Sequence, residues 1–186
     1  MSIRPIVRLG HPALRTPTES LPLQRLAEPE IQTLIDDMIE TMRAAEGVGL
    51  AAPQLGLGWQ LFVYEVQPEP GQPNSGIPLH VVVNPMVEPE AHEVIYDWEG
   101  CLSIPDLRGL VPRHPAVRVR GLDREGKPLD YRAAGFEARV IQHEYDHLNG
   151  IVFLDRMRDF QSLAFYREWE EFLVSGQVPA ATARAE

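Results

Sequence analysis

Residues 142–150 read QHEYDHLNG, so His143, Glu144 and His147 form an H-E-x-x-H string. On a helix, positions i and i+4 project from one face, and two imidazoles one turn apart can grip a single metal ion with Glu144 beside it. That is the chemistry of a hydrolytic metal site. The string is incomplete alone, because a catalytic zinc-like site takes three protein ligands and keeps one position open for water. Two surface histidines can fall at this spacing by chance, so the rest of the chain has to supply the third ligand.

Three sources offer one. A metzincin-type string would continue as H-E-x-x-H-x-x-G-x-x-H; Gly150 stands at the required place, but Phe153 occupies the position of the third histidine. A thermolysin-like peptidase would draw a glutamate from a following helix, and Glu168 lies at about that distance, without a supporting asparagine before it. His11, His80, His92 and His114 have no paired spacing and read as surface residues. Cys101, in WEGCLSIP (98–105), is the remaining candidate: a thiolate suits a borderline or soft divalent ion, and Gly100 beside it allows a close backbone approach. It is the only cysteine in the chain, which excludes an internal disulfide and a Cys-x-x-Cys knuckle. Packing, reactivity or ligation is left to it.

These residues need a frame. Ile31, Leu34, Ile35, Met38 and Met42 recur at helical spacing, with Pro29 near the start and Gly47 as a stop, and predict an N-terminal amphipathic helix. Short β-rich runs follow at 61–66, 79–88, 92–103 and 117–123, separated by Pro and Gly, with an exposed loop over 67–78. The H-E-x-x-H helix should run from about Phe136 to Leu148, ended by Asn149-Gly150. It would turn Val140, His143, Glu144 and His147 to one side and Ile141, Tyr145 and Leu148 to the other. A third helix is expected over 159–174, capped by Asp159. The fold class is therefore α+β, with mainly antiparallel β-sheets packed around a central helix carrying the H-E-x-x-H residues, between an N-terminal and a C-terminal helix. Residues 1–174 should form one domain, and 175–186 a flexible tail.

Composition narrows the partners. A formal net charge of −10 opposes nucleic acid and anionic lipid, and no apolar run reaches membrane-spanning length. MSIRPIVRLGHP at the start lacks the apolar core of a secretory signal, so a cytoplasmic location is expected. A small or peptidic ligand fits best.

Three segments, GVGLAAPQ (47–54), EGCLS (99–103) and QHEYDH (142–147), together resemble the peptide deformylases in type, order and separation, and the likeness runs to about residue 174. The resemblance implies a metal held by Cys101, His143 and His147, with Fe2+ preferred and Zn2+, Ni2+ or Co2+ compatible with the same donors. It implies Glu144 as the proton-transferring carboxylate. The side-chain amide of Gln54 and the backbone N–H of Leu102 would steady the oxyanion. Gly47, Val48 and Gly49 would form a thin wall for an extended substrate backbone, where side chains would obstruct. GVGLAAPQ is not a phosphate loop, since it follows a helix and lacks Gly-Lys-Ser/Thr. The implied reaction removes the formyl group from N-formylmethionyl peptides of nascent chains, releasing formate. Glu99 and Arg113, of VPR (111–113), could pair behind the metal; two separate surface charges are the alternative. Trp98 and Tyr145 read as packing residues. The acid-rich stretch REWEEF (167–172) gives no support for docking on ribosomes through a basic C-terminal segment. A zinc peptidase using Glu168, and a fold that binds N-terminal peptides without turnover, are the competing readings; Glu144 and Gln54 together argue against the second.

Overall fold

A computed structural model describes residues 2–174 apart from 69, 73 and 74; the expected tail, 175–186, lies outside the described residues. One helical turn, α1 (Leu23–Leu26), leads into α2 (Pro29–Ala44), where Pro29 presets the first turn. Ile31, Leu34, Ile35, Met38 and Met42 are all buried on one side, each burial contributing roughly 1.5–3 kcal/mol. Gly47 lies just beyond the helix end, as its sequence suggests, but the left-handed turn falls one residue earlier. Glu46 takes the left-handed conformation (φ 53°), and Glu46 and Gly47 donate back to the carbonyls of Arg43 (3.0 Å) and Met42 (2.9 Å). A Cβ at Gly47 would lie 2.7 Å from Leu102 Cδ1, so a larger residue there would displace the Leu102 side chain.

Strands β1 (Gly49–Ala51), β2 (Leu61–Val66), β3 (Ile77–Pro89), β6 (Ala116–Leu122) and β7 (Pro128–Ala134) form an antiparallel sheet in the order β1-β2-β3-β6-β7. The remaining strands, β4 (Ile95–Cys101), β5 (Ile104–Arg113) and β8 (Ala164–Phe165), form a second antiparallel sheet in the order β4-β5-β8. Alternation on β2 and β3 decides which helix each face meets. Leu61, Val63, Val81 and Val83 pack on α2, while Phe62, Tyr64 and Val82 face α3 (Phe136–Leu148). A further turn, α4 (Phe153–Arg156), puts Phe153 into a third cluster with Cys101, Ile104 and Val111. The H-E-x-x-H helix is thus central, as expected, and mainly antiparallel sheets surround it.

Several elements depart from the sequence reading. β1, β5 and β7 were hidden: β5 carries Pro105, Gly109 and Pro112, which argue against a strand in isolation. β8 pairs only with Leu107 and Arg108, so β5 has an open edge at Pro105 and Pro112, where a proline is tolerated. The loop expected over 67–78 is shorter, because β3 already begins at Ile77. The helix expected over 159–174 starts late, at α5 (Tyr166–Glu168), and continues as a wider π turn over Trp169–Val174. Asp159 caps no helix; its Oδ1 accepts from Gln161 N (2.9 Å), and Ala164–Phe165 are drawn into pairing with β5. Asn149-Gly150 does end α3, with Gly150 at φ 71° and Ile151 N donating to Asp146 O (3.0 Å).

Candidate active site

Helix α3 and hairpin β4–β5 converge on one point. His143 and His147 project from successive turns of α3, their rings 5.0 Å apart at 79°. Cys101 closes β4, opposite Ile104, with Leu102 and Ser103 as the turn between the strands. One donor atom from each of Cys101, His143 and His147 lies within 4.8 Å of the others. Cys101 Sγ and His147 Nε2 are 3.3 Å apart, a spacing suited to two donors that share one ion. Two buried polar atoms beside them, Glu144 Oε2 and His147 Nδ1, have no hydrogen-bond partner among the described residues. A cysteine sulfur, two imidazoles and an unpartnered buried carboxylate oxygen fit a catalytic divalent metal.

Behind this group runs a buried polar network. Glu99 accepts from His143 Nδ1 (2.9 Å), which fixes that tautomer and frees Nε2 for a metal. The same carboxylate takes both a fork from Arg113 (2.9 and 3.0 Å) and one N–H of Arg139 (2.8 Å). The structure therefore brings Glu99 and Arg113 together as a buried pair and not as two surface charges. Burial alone would raise the Glu99 carboxyl, but the bonds from His143 and Arg113 outweigh it and hold it well below the usual carboxylate range. Asp146 continues the network, accepting from Arg113 (2.5 Å) and from Arg156 (2.6 and 3.0 Å). Arg139 and Asp146 were missed in sequence. The signal available was their place on α3, Arg139 one turn before His143 and Asp146 next to His147.

Glu144 is buried, and burial pushes its carboxyl up to about 7 although His143 pulls the other way. Gly49 makes room for it: a Cβ there would come within 2.8 Å of Glu144 Cδ and 2.9 Å of Cγ. The bare backbone at Gly47 and Gly49 thus leaves room for Leu102 and Glu144. Gln54 sits in a 3-10 turn over Ala52–Leu55. Its Oε1 accepts from Ala51 N (2.8 Å), which turns Nε2 toward Cys101 Sγ (3.6 Å). A cleft of about 400 Å³ opens onto these groups, lined by Gly47, Val48, Gly49, Gln54, Leu102 and Glu144 among others. Val48 is half-exposed there, and its carbonyl accepts from Glu65 N (3.0 Å) on β2.

Other candidates lie elsewhere. Glu168 is exposed on α5 and is not among the residues that could share a metal with the two histidines. His80 is not a simple surface residue; it stacks on Tyr64 (4.8 Å, 6°) in a half-buried cluster with Tyr131. Trp98 lines the cleft and meets Trp169 edge-on (6.0 Å), whereas Tyr145 packs against the core around α3.

An H-E-x-x-H helix between antiparallel sheets, with a cysteine supplied by a neighbouring hairpin, defines a metal-dependent hydrolase. Residues 3–162 match the polypeptide deformylase family. The chain belongs to that family. It is 41% identical over 164 residues to peptide deformylase 1 of Nitrosomonas europaea and 43% identical over 164 residues to peptide deformylase 2 of Ralstonia nicotianae, in each case spanning 88% of this chain and 92% of the relative. The Met-Ala-Ser-bound class I type b peptide deformylase of Acinetobacter baumannii superposes with a TM-score of 0.78 at 35% identity, covering 84% of this chain and 100% of that one.

Proposed function

We propose that residues 1–174 act as a single catalytic domain that hydrolyses the formyl group from peptides beginning with formylmethionine, releasing formate and a free α-amine. The observation that carries the reading is the meeting of Cys101, His143, Glu144 and Gln54 at one cleft, with His147 buried against Cys101 behind it. The Met-Ala-Ser peptide in the Acinetobacter baumannii structure matches the product side of such a reaction.

Cys101, His143 and His147 would hold the metal, with ferrous iron the preferred ion and zinc, nickel or cobalt compatible with the same donors. When bound, the metal supplies a Lewis acid and makes a water nucleophile available near neutral pH. Glu144 accepts the proton of the attacking water and delivers it to the leaving amine, a transfer suited to a carboxyl whose buried site places it near neutrality. Gln54, its oxygen tied to Ala51 N, keeps its amide protons for the developing oxyanion, and the N–H of Leu102 in the β4–β5 turn joins it. Gly47 and Val48 lead into β1, which begins at Gly49 and is an edge of the five-stranded sheet, where an extended substrate backbone can add as one more strand.

Among the described residues no helix is long and apolar enough to cross a membrane. A cytoplasmic site of action on nascent chains fits the peptide substrate, and the acidic 167–172 segment favours no electrostatic docking on ribosomal RNA. The test is formate release from a formylmethionyl tripeptide by anaerobically prepared enzyme, with casein as a control substrate. Formate without casein cleavage is expected. Casein cleavage without formate would replace this reading with a peptidase.

A further inference from the structure

The three metal donors come from two layers with separate apolar cores. His143 and His147 ride on α3, whose Ala138, Ile141 and Leu148 pack with the five-stranded sheet. Cys101 belongs to a different cluster, with Ile104, Val111 and Phe153. Apolar packing within each cluster holds each layer together but does not by itself fix one layer against the other. Polar groups cross the seam at several points, including His143 to Glu99 (2.9 Å) and Arg156 to Asp146 (2.6 Å), and two of these crossings are reciprocal arms. Arg113 reaches from β5 to Asp146 on α3 (2.5 Å), and Arg139 reaches from α3 to Glu99 on β4 (2.8 Å).

The second arm ends beside a ligand on each side. Arg139 lies one turn before His143 on the same helix, and Glu99 lies two residues before Cys101 on the same strand. Its guanidinium also ties down main chain: Nη1 donates to Val111 O (2.9 Å) and Nη2 to Ile95 O (2.7 Å). A planar fork can hold a carboxylate and carbonyls of two strands at once, and a lysine ammonium cannot reproduce that spread. The side chain is buried, 8% exposed, so water does not compete for these bonds.

We propose that Arg139 is a positioning residue of the metal centre: through Glu99 and the main chain of β4 and β5 it sets the spacing of Cys101 from the two histidines. The proposal rests on the ligand set given above. The experiment reads the site without turnover. Cobalt-loaded protein reports its donors through the thiolate-to-cobalt absorption band and the d–d bands, and chelator competition gives the affinity. Arg139→Lys and Arg139→Gln are expected to keep the far-UV circular dichroism of the parent, to shift the d–d bands, and to bind cobalt about 10- to 100-fold more weakly, lysine less affected than glutamine. Unaltered bands and affinity in either folded variant would overturn the proposal. So would failure of both variants to fold, which would make Arg139 a requirement of the fold instead of the site. Cys101→Ala assigns the thiolate band; its absence from the parent protein would refute the ligand set itself, a result distinct from an unshifted band in the Arg139 variants.

Discussion

Gly49→Ala is the sharpest test of how the cleft is built. The new methyl would stand 2.8 Å from Glu144 Cδ and 2.9 Å from Cγ, against the 3.4–4 Å of ordinary contact. Either Glu144 withdraws by roughly half an ångström or more, or β1 does; a buried methyl forced on a packed site costs about 1–3 kcal/mol. β1 is held by β2 along its length, through the pairs Gly49 with Tyr64, Leu50 with Val63 and Ala51 with Phe62, so the side chain is the softer partner. A catalytic group displaced by about 1 Å can lose on the order of 10²-fold in rate. The expected result is therefore a kcat about 10²-fold down, a modest fall in Tm, and full metal content, because Cys101, His143 and His147 are untouched. Formate release, a thermal melt and elemental analysis measure the three. Wild-type kcat, or metal loss in proportion to activity, would show that Gly49 does not serve Glu144.

Four further outcomes follow from the site and its supports. Cys101→Ala should lose tight metal binding by elemental analysis, since two imidazoles alone form an incomplete site. Full occupancy in that variant, with metal lost instead from Glu168→Ala, would favour the peptidase reading. Glu144→Gln should keep its metal and lose about 10²- to 10⁴-fold in kcat, because an amide cannot accept and return the proton. Asp37 is buried on α2; burial would raise its carboxyl, but Ser2 N (2.6 Å) and Arg4 (2.9 Å) hold it below its ordinary value. Its stabilisation is present above the ordinary carboxylate range and lost as pH falls through the depressed value, so Asp37→Asn should lower Tm at pH 7 and the gap should close in acid. Glu46→Gly should raise stability by about 1–2 kcal/mol in a denaturant melt, because glycine removes the left-handed penalty at φ 53°.

The helix that carries His143 and His147 was legible because local rules govern it. The i, i+4 spacing puts His143 and His147 on one side, and Asn149-Gly150 supplies the left-handed stop that the structure uses. The strand β5 was not legible, since Pro105 and Pro112 are tolerated only because of an open edge that depends on how short β8 is. The start of the last helix was misread for the same kind of reason: Asp159 has the chemistry of a cap, but pairing of Ala164–Phe165 with β5 takes the chain elsewhere. Within the site, Arg139 binds Glu99 across 40 positions and Arg113 binds Asp146 across 33. No local spacing marks such pairs. Glycine's role was visible as a need for bare backbone at 47 and 49, but the neighbours that impose it, Leu102 and Glu144, come from other parts of the fold.

The edge at β1 is only three residues long. An unpaired sheet edge is usually a hazard, a template on which another chain can polymerise, and proteins blunt it by keeping it short. If substrate adds to β1 as proposed, the shortness would also sort substrates by their physical state. A strand that offers main-chain bonds to a visitor accepts only a chain end whose own amides and carbonyls are still unspent, and an N-terminus already wound into a helix or paired in a sheet has none to give. Timing would then join the formylmethionine end in limiting which proteins are served: each newly begun chain has an interval before it folds, and slow-folding N-termini keep that interval open longest.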